Sequence, residues 1–187
     1  MTKEKYITYL HEQNVPVDVE KLEKYNAIQF GNQFDHPVDN LPSNIRAIYF
    51  GQFFNQPLEN LPSSIERIHF SNDSRFNHPV DFLPANLKAI HFGWNYNIPL
   101  NNLPQDLEIL LVPYFYKHSM LNFPLNLKKI LLPIKLPNRI WAKHWNEVSE
   151  RYKDIISMYN CYKFDLTIIS ECNSFVRING CNQCICS

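Results

Sequence analysis

An internal repeat dominates this chain and leaves few folds open to it. The segments "FDHPVDNLPSNIRAIYFG" from Phe34, "FNQPLENLPSSIERIHFS" from Phe54, "FNHPVDFLPANLKAIHFG" from Phe76 and "YNIPLNNLPQDLEILLVP" from Tyr96 align without gaps, with starts 20, 22 and 20 residues apart. A unit of that length cannot bury an apolar face alone, so a fixed period of this size means coils stacked on one another. A fifth copy from Tyr116, "YKHSMLNFPLNLKKILLP", keeps the second half and loses the first proline, and "YNAIQFG" from Tyr25 is a half copy in front.

Within each unit the second half reads apolar-x-x-apolar-x-apolar: Ile45, Ile48, Phe50; Ile65, Ile68, Phe70; Leu87, Ile90, Phe92; Leu107, Leu110, Val112. This is the strand pattern of a leucine-rich-repeat-like coil, in which one short strand per turn adds to a parallel sheet. Nine of the 13 prolines fall in two repeat columns, Pro37, Pro57, Pro79 and Pro99, then Pro42, Pro62, Pro84, Pro104 and Pro124. A helix with prolines at those places would lose backbone bonds and clash, so the return path must be extended or tightly turned. The column Gly31, Gly51 and Gly93, with Ser71 in the same place, marks the turn leaving the strand. Asp35, Asn55, Asn77 and Asn97 are placed to satisfy backbone groups at the next corner with their side chains.

"YNIP" at 96–99, with "FNQPL" and "FNHPV" before it, resembles the FNIP repeat, named for Phe-Asn-Ile-Pro and found in social amoebae and in giant viruses that infect amoebae. The resemblance covers roughly residues 25–133. It implies a leucine-rich-repeat-like fold, frequently behind an F-box. Only about 24 residues precede the first expected strand, fewer than an F-box needs, which weakens an adaptor role in a ubiquitin ligase.

The expected architecture is therefore mainly β. A right-handed solenoid of five to six coils, with a short parallel sheet on its concave face, occupies 25–133, between an N-terminal cap (1–24) and a C-terminal cap (134–187). "TKEKYITYLHEQN" reads as a short amphipathic helix through Tyr6, Ile7 and Leu10. Trp141, Trp145, Val148, Tyr152, Ile155 and Tyr159 recur at helical spacing and predict an α-helix over about 140–160. "KFDLTIIS" and "SFVRING" then alternate as a hairpin would.

In a parallel stack each residue sits about 4.8 Å from its counterparts above and below, so columns read as ladders. One column runs Arg46, Glu66, Lys88, Glu108, Lys128 and changes sign at every step. Slipping by one coil would bring like charges together, so its expected role is register. The position before the last strand residue runs Gln29, Tyr49, His69, His91, Leu111, Leu131, and in a solenoid this column points out of the concave face. Tyr49, Arg67, His69, His91, Leu111 and Leu131 are therefore the expected partner-binding residues, unless the C-terminal segment covers Leu111 and Leu131.

Composition narrows the activity. The 18 basic and 18 acidic residues cancel and are spread along the chain, which argues against a nucleic-acid partner. No apolar run approaches bilayer-spanning length and the N-terminus lacks a signal sequence, so a cytoplasmic protein without a membrane partner is expected. All five cysteines lie from Cys161 onward, unlike a secreted disulfide framework, and reduced thiols follow. The tail motif at Cys181, Cys184 and Cys186, with Cys161, Cys172 or His144 as a fourth ligand, could hold zinc, and His69 and His91 on adjacent coils could chelate a metal, although no carboxylate or cysteine shares their columns; no metal or cofactor is expected. No phosphate loop, HExxH, GxSxG or paired carboxylate cluster occurs, so the chain reads as non-enzymatic, with no small-molecule ligand expected. The expectation is a protein-interaction module, possible roles being a viral or amoebal host-interaction factor, a self-assembling repeat protein, or the substrate-binding part of a ubiquitin ligase without its own F-box.

Overall fold

The computed structural model describes residues 7–120, 122–133 and 150–159. One parallel sheet of eight strands runs through it in sequence order: β1 (Thr8–His11), β2 (Ala27–Phe30), β3 (Ala47–Phe50), β4 (Arg67–Phe70), β5 (Ala89–His91), β6 (Ile109–Leu111), β7 (Lys129–Pro133) and β8 (Ile156–Tyr159). Two 3-10 turns, Val19–Leu22 and Glu150–Ile155, supply the helical content of the described residues. The register keeps each repeat column straight: Ala27, Ala47, Arg67, Ala89, Ile109 and Lys129 are successive partners. Backbone bonds repeat with it. The amides of Arg46, Glu66, Lys88, Glu108 and Lys128 each donate at 2.8 Å to the carbonyl 20 or 22 residues earlier.

Side chains alternate across each strand. Ile28, Ile48, Ile68, Ile90, Leu110 and Ile130 form one inward column, and Phe30, Phe50, Phe70, Phe92, Val112 and Leu132 the next, all nearly inaccessible. The return path closes the core from the far side through the column Phe34, Phe54, Phe76, Tyr96, Tyr116. Its ring lies flat on the strand phenylalanine of the same coil, with centroids 4.0 Å apart for Phe30–Phe34, 3.9 Å for Phe50–Phe54, 4.3 Å for Phe70–Phe76 and 4.3 Å for Phe92–Tyr96. Between coils the strand rings stack again, 5.4 Å from Phe30 to Phe50 and 5.1 Å on to Phe70. The result is an aromatic spine two rings wide, each contact contributing about 0.5–1.5 kcal/mol beyond area burial.

Prolines shape the return as expected. The carbonyls of Pro42, Pro62, Pro84 and Pro104 accept from the amides of Ile45, Ile65, Leu87 and Leu107, each closing a four-residue turn into the next strand. The glycine column acts through closeness of the coils: a Cβ on Gly51 would lie 2.5 Å from the Gly31 carbonyl oxygen, and one on Gly93 2.8 Å from that of Ser71. The 22-residue coil takes up its extra length after Ser71. There the buried Ser74 accepts from the Phe76 amide through Oγ and donates its own amide to the Ser71 carbonyl.

Both expected helices are corrected where they are described. Thr8–His11 is strand β1, paired with β2 from Thr8 to His11. Tyr9 packs on Tyr25 at 5.2 Å and His11 meets Phe30 and Phe34 edge-on, so tertiary pairing in period two overrides the helical spacing of Tyr6, Ile7 and Leu10. At the other end, Glu150–Ile155 is a 3-10 turn leading into β8, whose Ile156 pairs with Ile130. Tyr152 is buried there, its hydroxyl donating to the Phe123 carbonyl. The rest of the expected helix, the "KFDLTIIS"–"SFVRING" hairpin and all five cysteines lie outside the described residues.

The spine predicts an asymmetric response to truncation. Phe54→Ala removes a fully buried ring stacked on Phe50 and flanked by Phe34 and Phe76, and should lower unfolding free energy by about 3–5 kcal/mol. Phe82→Ala, on a side chain 65% exposed, should change it by less than about 0.5 kcal/mol. Urea denaturation followed by circular dichroism checks both.

Candidate functional site

The strand positions that do not enter the core form a second, outer sheet face. Its columns are Ala27, Ala47, Arg67, Ala89, Ile109, Lys129 and Gln29, Tyr49, His69, His91, Leu111, Leu131, in straight register. All six sequence-predicted partner-binding residues are brought together here. Their exposure differs from the expectation of an open stripe: Tyr49, His91, Leu111 and Leu131 are 5%, 6%, 4% and 5% accessible, while Arg67 and His69 are half-buried. Ala27, Ala47 and Tyr49 make an apolar cluster of their own, apart from the main core.

At the centre of the face two imidazoles meet. The His69 and His91 rings stand 4.2 Å apart, with Nδ1 to Nδ1 3.0 Å, and Tyr49 follows at 5.9 Å from His69. A contact of that length requires one ring to donate N–H to the bare nitrogen of the other, so the pair cannot be doubly protonated. Burial pushes His69 from its ordinary 6.5 down to about 4. His91 lies well below the ordinary value, first through burial and then through the charge His69 would carry. Neutral imidazoles can ligate metal, but among the described residues no group of three His, Cys, Asp or Glu side chains converges.

The sign-alternating column lies along the strand entrances. Arg46 pairs with Glu66 at 3.5 Å and Lys128 with Glu108 at 3.0 Å, whereas Lys88 turns to Asp106 at 3.3 Å. These pairs are partly solvated and contribute roughly 0–1 kcal/mol each.

A polar ladder along one corner joins the coils more continuously. The side-chain oxygens of Asn14, Asp35, Asn55, Asn77 and Asn97 accept from the amides of Asp35, Asn55, Asn77, Asn97 and Lys117, at 2.9–3.3 Å. Beside it His36, Gln56, His78 and His118 reach the backbone carbonyls of Asn14, Asp35, Asn55 and Asn97. Three of the seven histidines, His36, His78 and His118, are thus corner residues that reach a carbonyl of the preceding coil. Sequence reading missed this second strand of the ladder and its first rung, although "NVPVD" at 14–18 is a degenerate copy of "DHPVD" at 35–39.

A neutral histidine pair, His91 buried and His69 half-buried, sets a pH dependence whose sign is fixed. Unfolded, each ring takes up a proton below 6.5; folded, neither does until lower pH, so the unfolded state binds more protons between about pH 4 and 6.5. Stability should therefore fall as pH drops from 6.5 towards 4, by about 1–3 kcal/mol from this pair. His91→Gln should flatten the decline, as measured by urea midpoints from pH 7.5 to 4; parallel curves for the two proteins would contradict the assignment.

Against known proteins, the FNIP Repeat family profile matches residues 34–73 and 76–112. Those two adjacent segments match the FNIP repeat, in agreement with the pattern read from the sequence. Among solved structures it is similar to CroV588, a circular leucine-rich-repeat protein from a giant virus, at 20% identity and a TM-score of 0.33. That match covers 71% of this chain and 32% of the other, so this chain spans about a third of that protein's length. No curated protein matches. Among the described residues no helix is long and apolar enough to cross a membrane.

Proposed function

We propose that this FNIP-repeat solenoid is a non-enzymatic protein-interaction module and that its partner reads the outer face of the sheet. One observation carries the reading. The inward columns stay apolar from coil to coil, Ile or Leu in one and Phe, Val or Leu in the other, whereas the outer column changes chemical class at three of its five steps, from Gln29 to Tyr49, from Tyr49 to His69 and from His91 to Leu111. Scaffold needs explain the first pattern and do not demand the second. The gradient from amide through polar aromatic to aliphatic suits an extended partner segment that is polar at one end and apolar at the other. No acid–base pair or nucleophile with an orienting base is assembled on the face, and a binding role suits it better than chemistry.

The test is affinity capture from amoebal lysate with the intact chain and with a Tyr49→Ala, His69→Ala, His91→Ala variant shown to be folded by circular dichroism. A protein retained by the intact chain and lost with the variant is the expected result; identical recoveries would overturn the reading.

A second reading, end-to-end self-assembly, draws on a different observation. Among the described residues, four of the seven exposed large apolar side chains, Ile7, Leu10, Val15 and Val19, lie within the first coil, beside β1 at the end of the sheet. Edge strands with apolar flanks invite pairing with another chain. Sedimentation velocity between about 1 and 100 μM, a span set against typical association constants, decides it: a concentration-independent monomer would remove this reading.

A further inference from the structure

We propose that β1 is a dimerisation strand: the first coil pairs with the first coil of a second copy, the two β1 strands running antiparallel across a two-fold axis. This rests on the self-assembly reading above and gives it a partner, a geometry and a register.

Main-chain directions identify the open edge. The Ile7 carbonyl accepts from the amides of Asn26 and Ala27, and the His11 carbonyl from the Gly31 amide at 2.8 Å, so both point at β2. Successive residues of a strand turn their amide and carbonyl to opposite sides. Thr8 and Leu10 therefore aim theirs at the other edge, where no described residue bonds to them. Sheet edges are ordinarily blunted by proline, lysine or a bulge. Thr8–His11 carries none of these and pairs with β2 residue for residue. Leu10 and the preceding Ile7 stay 51% and 56% exposed.

The distribution of apolar surface selects the occupant. Val15 and Val19, 45% and 39% exposed, lie past the strand on the return path of the same coil. An isolated extended peptide added to β1 would cover the strand and leave the return path wet, whereas a coil covers both. The first coil of a second copy is such a partner, and a two-fold contact between equivalent surfaces closes at two chains.

Register follows from the pleat. Residues opposite one another in an antiparallel pair share a sheet face, so the axis passes between two equivalent residues. With Tyr9 opposite Tyr9 of the second copy, Thr8 of each chain lies opposite Leu10 of the other and exchanges both main-chain bonds with it. Centring the axis on Leu10 would instead set Thr8 against Glu12, beyond the end of β1. Charge opposes the contact, since residues 7–26 hold Glu12, Asp18, Glu20 and Glu23 against Lys21 and Lys24. One coil end is also small beside the roughly 1,200 Å² at which stable specific interfaces begin. The dimer is therefore weak, with a Kd on the order of 10–100 μM, and tightens as salt screens the acidic ends.

The experiment uses the full chain. Sedimentation equilibrium between about 1 and 300 μM should fit a monomer and a dimer, with a Kd that falls several-fold from about 50 to 500 mM salt. A photoreactive p-benzoylphenylalanine at Leu10 should link to residues 7–11 of the other copy, as mapped by mass spectrometry. Leu10→Pro removes an amide that faces the open edge and leaves the bonds to β2 in place, so it should raise the Kd at least about tenfold with unchanged circular dichroism. If that variant fails to fold, Leu10→Lys keeps the amide and makes the same test through an edge charge. A folded variant that dimerises like the intact chain, a dimer that salt loosens, links from position 10 into 150–159, or growth beyond two chains would each overturn the proposal while self-assembly stands. A monomer at every concentration would remove both.

Discussion

Each coil of this protein is too short to satisfy its own backbone, and the rest of the structure follows from that shortage. About a dozen residues return from one strand to the next, with prolines at two corners, and no helix can form to pair their amides and carbonyls. Those groups find their partners in the coil below. The Asn and Asp ladder from Asn14 to Asn97 accepts the corner amides, the His and Gln side chains beside it donate to the corner carbonyls, and the sheet amides complete the set. No coil can stand alone, because its polar groups are unsatisfied until the next is laid down. The aromatic spine supplies the apolar gain that offsets the ordering of so much extended chain.

Where a repeat residue departs from its column, the substitution is compensated locally by the same logic. Ile98 replaces the His or Gln that elsewhere reaches down to a carbonyl. In that coil the spine residue is Tyr96, whose hydroxyl donates to the His78 carbonyl, and in the next coil the Tyr116 hydroxyl accepts from the Leu100 amide. Both hydroxyls are held strongly protonated by burial, Tyr116 rising to about 12. In the Tyr96 coil the bond to the preceding backbone has moved from the corner into the spine, while the Tyr116 coil keeps its corner bond through His118 and adds the tyrosine bond to it.

The repeated core was legible in sequence because its columns have two independent marks, apolar spacing and proline position, and both survive in four copies. The ends were misread for a physical reason. Tyr6, Ile7 and Leu10, like Tyr152, Ile155 and Tyr159, sit at separations that suit one face of a helix, but single segments carry no signal of the neighbour that will pair with them. β2 and β7 offer such neighbours, and a backbone that can join an existing ladder is drawn into it. The outer column was readable as residues but not as exposure, since the repeat pattern fixes which side of the strand a residue takes and not how much of it stays accessible there.

The same economy bears on why the middle of the outer face holds histidine. Burying a charged group carries a desolvation penalty of several kcal/mol, whereas a neutral imidazole is buried at a far smaller one. His69 and His91 meet through Nδ1 at 3.0 Å, and burial holds both below the ordinary imidazole range, so the pair is uncharged near pH 7. A lysine pair on these adjacent rungs would set like charges side by side, and a leucine pair would give up the hydrogen bond that joins the two coils across this face.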